Sequence, residues 1–173
     1  MRIRPIISLI ALSLILSASV RGATGFYFDS TVLYQPDEPL RTRLASAAEL
    51  AAYMKRIEAS CSAFFAAETT PERLDIVVGL KPAKKVRVWF VSSRRSGQDK
   101  ALIALRKKLE TVPPCAVHGG PIAFAMRCTI AGGGPAPKEK GAFQPPMPKE
   151  WRDATAGKPV LIPDGIFERI WRD

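Results

Sequence analysis

Arg73-Leu74-Asp75-Ile76-Val77-Val78-Gly79-Leu80-Lys81-Pro82-Ala83-Lys84-Lys85-Val86-Arg87-Val88-Trp89-Phe90-Val91 is the stretch that decides the fold. Leu74, Ile76, Val78 and Leu80 alternate with Arg73, Asp75, Val77 and Gly79. Val86, Val88 and Phe90 alternate with Arg87, Trp89 and Val91. Period two marks strands that bury one face. The link Lys81 to Lys85 is short enough for a hairpin, so the two strands run antiparallel.

Outward from this hairpin, both flanks read as helices. On the N-terminal side, Ser46-Ala47-Ala48-Glu49 has the form of a capping box. Leu50, Met54, Ile57, Cys61 and Phe64 then fall at helical spacing, which predicts a helix over about Leu44 to Ala67, ended by Thr69-Thr70-Pro71. On the other side, Ser92 to Gly97 is a polar loop, and Ser96-Gly97-Gln98-Asp99 is a second capping-box match. Leu102, Leu105 and Leu109 supply the buried face of the helix that follows, with Lys100, Arg106, Lys107 and Lys108 facing water. Pro113-Pro114 stops it. A third strand alternates Ile122, Phe124, Met126, Cys128 and Ile130 against Ala123, Ala125, Arg127 and Thr129.

Helix, strand, strand, helix, strand implies an α+β domain over residues 43–132. The second helix carries the chain back, so an all-antiparallel sheet needs the order 2-1-3, with both helices on one face. Strands two and three are then its edges. The third has small outward residues and one charge, so an incoming peptide could pair along Ile122, Ala123, Phe124, Ala125, Met126 and Arg127. The opposite face keeps Val77, Trp89, Val91 and Ala125. A bare Trp89 there is unfavourable. Either the lead-in around Phe26 to Tyr34 or the tail around Trp151 and Trp171 packs over it, unless the tail is mobile and Trp89 open.

The stretch from about Tyr53 to Gly132 resembles the TonB C-terminal domain family, also seen in TolA-like periplasmic domains. The matching residues are Val86-Arg87-Val88-Trp89-Phe90-Val91, Ser92-Ser93, Ser96-Gly97, Asp99-Lys100-Ala101-Leu102, Pro113-Pro114 and Gly120-Pro121-Ile122-Ala123-Phe124. The resemblance implies a binding module that accepts a partner's short segment at the final strand.

The N-terminus points to export. Met1-Arg2-Ile3-Arg4 is basic, Ile6 to Leu16 is apolar save for Ser8 and Ser13, and the small residues Ser17, Ala18 and Ser19 follow, then Val20, Arg21, Gly22 and Ala23. That order defines a signal peptide, here residues 1–22, with cleavage after Gly22 or after Ser19. The protein is therefore expected in the periplasm or secreted, and at a membrane only if this segment stays uncleaved as an anchor. The formal charge of +10 falls to +7 without Arg2, Arg4 and Arg21. A basic exported protein suits a protein partner in the cell envelope or an anionic envelope polymer, and export argues against nucleic acid. The candidate basic surface is Lys84, Lys85, Arg94, Arg95, Lys100, Lys107 and Lys108.

Residues 23–42 read as an extended or turning lead-in, and 133–173 as a tail rich in Pro, Lys and Gly near its start. Val160 to Asp173 ends that tail with enough apolar residues for a short helix. Trp151-Arg152-Asp153 recurs as Trp171-Arg172-Asp173, an echo too short to mark a repeat.

No catalytic set stands out, so an enzyme is not expected. His118 is the only histidine and sits in the loop before the third strand. The acidic residues are scattered, no glycine run is followed by Lys-Ser/Thr, and no Cys-x-x-Cys occurs, so neither a metal nor a cofactor is expected. Three cysteines in an exported chain suggest one disulfide. Cys61 and Cys128 both point at the helix–sheet interface and form the expected pair, with Cys61–Cys115 as runner-up and three free buried thiols as the alternative.

Overall fold

Strand β2 (Glu72–Lys81) pairs antiparallel with β3 (Lys85–Ser92), as the alternation predicts. The reversal sets Ala83 and Lys84 at φ 63° and 61°. Positive φ at successive turn residues suits the right-handed twist of the flanking strands. The other side of β2 pairs antiparallel with β4 (Ile122–Ile130), from Glu72↔Ile130 to Leu80↔Ile122. The expected order of these three strands is thus the observed one. The computed structural model describes residues 25–133, 145–156 and 164–171. The expected signal peptide, residues 1–22, lies outside the described residues.

The sheet has a fourth strand. The lead-in forms β1 (Phe26–Leu33), which pairs antiparallel with β4 and gives the order β1-β4-β2-β3. β4 is therefore an inner strand, which corrects the expectation of a free edge at Ile122 to Arg127. A bulge between Phe28 and Ser30 explains why the lead-in does not read as a strand. The extra residue shifts the parity of the side chains. Phe26 and Phe28 pack on one face of the sheet, whereas Val32 and the following Tyr34 pack on the other.

α1 (Asp37–Arg43) is a short helix inside the lead-in, and α2 (Ala47–Phe64) is the expected long one. Ser46 caps α2, its Oγ accepting the Glu49 N–H at 3.1 Å. α3 (Lys100–Glu110) begins one residue beyond the expected capping box. Asp99 serves as its cap, with Oδ1 accepting from Ala101 N at 2.9 Å and Leu102 N at 3.2 Å. Tyr53, Ile57 and Cys61 of α2 and Leu102, Leu105 and Leu109 of α3 cover the apolar face of the sheet.

A second core fills the opposite face. α4 (Lys149–Ala154) and α5 (Asp164–Ile170) lay Trp151, Phe167 and the following Trp171 over Trp89, Val77, Ala123 and Ala125. Ring centroids lie 5.1 Å apart for Trp89–Trp151 and 6.4 Å for Trp89–Trp171. Both halves of the Trp-Arg-Asp echo thus place a tryptophan on the same residue. Lead-in and tail both close over Trp89, since Val32 and Tyr34 join the cluster. The described part of the tail before α4 is packed, for Pro146, Met147 and Pro148 are buried.

Cys61, Cys115 and Cys128 are all buried free thiols, in place of the expected Cys61–Cys128 disulfide. In an apolar core a thiol behaves as a small hydrophobe. The Cys128 thiol donates to the Met126 carbonyl at 3.5 Å. Burial pushes the Cys61 thiol up to about 12, with Lys108 pulling it down and Glu58 adding to the rise. Burial also raises Cys128 and Cys115.

Two outcomes follow from this packing. A thiol-reactive disulfide reagent at pH 8 should leave the native protein unmodified over minutes and label all three cysteines after unfolding in guanidinium. Prompt labelling of the folded protein would contradict the burial. At Gly79 an added Cβ would lie 2.6 Å from Phe167 Cζ. Gly79→Ala should therefore cost about 1–3 kcal/mol, by the cost of overpacking a core, and red-shift tryptophan emission. An unchanged denaturation midpoint would mean that α5 does not rest on Gly79.

Candidate functional site

The last residues of β3, Trp89 to Ser92, open onto a cleft of about 390 Å³. Its walls are the Arg95–Gln98 loop, Arg106 of α3, and the tail from Met147 to Glu150 with Arg152. Each wall is held by identifiable contacts.

The loop is pinned by a buried charge network. Glu72, at the start of β2, has a side chain with no exposure, and Arg95 Nε lies 3.1 Å from its Oε2, an ion contact without hydrogen-bond alignment. The Arg95 guanidinium also bonds Glu68 and lies 5.5 Å over the Phe65 ring. Ser92 Oγ donates to Glu72 Oε1 and accepts the backbone N–H groups of Arg94 and Arg95, at 3.0 and 2.7 Å. The tail wall is held from β1's side: Tyr34 donates its hydroxyl to the Pro146 carbonyl. Arg152 NH1 donates to the Met147 carbonyl at 2.9 Å.

The backbone of β3 sets what faces outward here. Val88 N–H donates to Glu110 Oε1 at 3.0 Å, so it points away from β2. Antiparallel ladders alternate bonded and non-bonded pairs. Two residues on, the N–H and C=O of Phe90 therefore also point outward, where the cleft begins. The Phe90 side chain packs in the first core.

The charges in the cleft are mostly basic. Arg95 is spent on Glu68 and Glu72, and Lys149 bonds Asp153 at 2.8 Å. Among the described residues, Arg106 and Arg152 lie within salt-bridge distance of no carboxylate, and the buried Nε of Arg106 has no hydrogen-bond partner.

The residues singled out from the sequence are dispersed. Ile122 to Arg127 lie between β1 and β2. Lys84 and Lys85 sit at the hairpin, Arg94 beyond the other end of β3, and Lys100, Lys107 and Lys108 on the exposed side of α3. The two ends of β3 are roughly 25 Å apart at ~3.3 Å per residue, so these cations form no single patch. Arg95 leaves the expected basic surface, being committed to its buried partners. His118 is exposed, its backbone N–H donating to the Arg43 carbonyl at 2.9 Å. Sequence reading missed Arg106, placed among the wetted residues of its helix, and Arg152, placed in a tail.

A second polar feature lies on the tail-side face of the sheet. Asp75 of β2 stands beside Arg127 of β4, Oδ1 to Nε 3.9 Å. Burial pushes the Asp75 carboxyl up to about 6, with Arg127 and Arg73 pulling against it and Asp29 adding to it.

No helix among the described residues is long and apolar enough to cross a membrane. No family model, curated protein or solved structure matches the chain.

The raised Asp75 carboxyl predicts a pH dependence of stability. Its folded value lies above the unfolded one of about 3.9, so the folded state holds the proton more tightly. Its favourable contribution is complete below about pH 4 and is lost as pH rises through about 6. Asp75→Asn should flatten this part of the stability profile and be more stable than the parent at pH 7.5, by about 1 kcal/mol after solvent screening. Urea melts between pH 4 and 7.5 would show this. A variant less stable than the parent at pH 7.5 would mean that the Arg127 contact outweighs burial.

Proposed function

We propose that this chain is an exported binding module, periplasmic or secreted and TonB C-terminal-like, that takes an extended segment of a protein partner by strand addition at a sheet edge. The receiving edge in this reading is β3. One observation carries it: the outward backbone of Phe90 lines a cleft of about 390 Å³. The edge first expected, on β4, is filled by β1. β1 ends the sheet on its other side, but its bulge makes it a poor template for a regular ladder.

Three features support the family reading: the hairpin, the α3 crossover and the return strand beside β2, with α2 and α3 on one face. The basic start of the chain and the apolar run after it support export. A second reading, a protein that holds anionic envelope polymer, draws on the exposed Arg94, Lys100, Lys107 and Lys108. Polymer binding would fall steeply with salt and would not need the Phe90 backbone.

Nine-residue peptides selected from a displayed library on the folded protein test the edge reading. A selected peptide should slow amide exchange at Phe90. Gly97 lines the cleft, and an added Cβ there meets nothing within 4 Å. Gly97→Trp should accordingly leave melting unchanged and weaken the peptide at least tenfold. Protection confined to β1, or no loss with Gly97→Trp, would remove β3 as the receiving edge.

A further inference from the structure

Resting on the edge reading above, we infer that the segment taken at β3 is acidic, and that Arg106 and Arg152 are the residues that select it. Strand addition by itself reads no sequence, because main-chain bonds are common to all residues. Selectivity must come from side chains that flank the added strand. Around the Phe90 edge these are Arg95, Arg106, Lys149, Glu150 and Arg152.

The charge accounting within this set separates structural cations from available ones. Arg95 is bound to Glu68 and to the fully buried Glu72, and Lys149 to Asp153. Glu150 is exposed at the start of α4. Arg106 and Arg152 have no carboxylate partner among the described residues. Arg152 has one donor tied to the Met147 carbonyl, which holds its guanidinium to the tail wall. Arg106 is the stronger signal. Its Nε is buried and makes no hydrogen bond, an arrangement that costs free energy unless a ligand supplies an acceptor. An acidic side chain on a strand paired to Phe90 would supply that acceptor. A guanidinium takes a carboxylate through two parallel bonds, which fixes geometry as well as charge. The two arginines come from opposite walls, α3 and α4, so side chains projecting to either face of one added strand could meet them.

The test uses two peptides of nine residues, one of valine with two adjacent glutamates at its centre, which project one carboxylate to each face of an added strand, and the other with glutamines at the same two positions. They are titrated into the full exported domain at 50 and 300 mM salt. The glutamate peptide should bind at least tenfold more tightly at low salt and protect the Phe90 amide. Arg106→Gln and Arg152→Gln, measured separately and each checked for an unchanged melting midpoint because Arg152 also bonds the Met147 carbonyl, should each remove most of that preference. Equal binding of the two peptides, with Phe90 protected by both, would overturn the acidic selectivity and keep the edge reading. Charge-dependent binding that needs both arginines but leaves Phe90 unprotected would keep the selectivity and overturn strand addition. Failure of both peptides, with dextran sulfate bound through the same arginines, would overturn the proposal in favour of an anionic polymer.

Discussion

One extra residue in β1 sets the rest of the structure. A strand without a bulge presents alternate residues to one face only, so a regular β1 carrying Phe26 and Phe28 into the first core would send Val32 there too. The irregularity between Phe28 and Ser30 resets the register, and Val32 stands opposite Ala125 on the other face. Tyr34 follows it into the second core, where its ring lies 5.0 Å from Trp151 and its hydroxyl holds Pro146. Met147 to Arg152 begin one residue beyond that contact and form the outer wall of the cleft. The cleft therefore depends on a local irregularity at the opposite edge of the sheet.

The tail is retained by more than apolar contact. Lys81, at the end of β2, is a buried lysine whose Nζ bonds Glu168 at 3.0 Å and the Trp171 carbonyl at 2.8 Å, and lies 4.9 Å over the Trp171 ring. A desolvated ammonium is costly unless its donors are met. Release of α5 would uncover Trp89 and break these bonds at once, so apolar burial and polar satisfaction favour the same docked state. At the other end of β2, Glu72 plays the matching part for the loop. Removing one partner of a buried ion pair costs about 3–5 kcal/mol, because the remaining charge stays desolvated. β2 thus carries a polar anchor at each end, one for the tail and one for the loop.

The central hairpin, both long helices and the third strand are legible because each obeys one period over enough residues to be counted. Leu102, Leu105 and Leu109 lie buried as their spacing implies, and Ser46 caps α2 as its sequence implies. β1 is not legible because the bulge breaks the alternation that would reveal it, although Phe26, Tyr27, Phe28, Thr31 and Val32 are strand-favouring types. The apolar sheet face around Trp89 does signal that lead-in or tail must cover it; that signal leaves the choice open, and both segments do. The cleft was hidden for a different reason. Arg95, Arg106 and Arg152 are contributed by a loop, a helix and a tail, and no spacing along the chain brings them together. Arg95 illustrates the limit most clearly: beside Arg94 it reads as one more surface cation, and only the fold shows that Glu72 has taken it out of water.

An open strand edge is a hazard for any sheet protein, and the treatment of the two edges here differs. β1 is irregular and has a polar middle, Asp29-Ser30-Thr31, which discourages a continuous ladder. β3 is guarded at its centre, where Glu110 takes the Val88 N–H, and Arg87 lies 5.5 Å over the Trp89 ring on its tail-side face. From Phe90 onward neither guard applies, and the outward backbone meets a cleft in place of a covering helix. Protection along β3 therefore stops within two residues of Glu110's contact, although α3 is long enough to have continued it. If shielding were the only requirement on this edge, an acceptor on α3 near Arg106 would complete it. Instead α3 presents a cation whose buried Nε has no partner. A position that could have closed the edge carries the opposite polarity, and this makes the gap a place for an acceptor to enter.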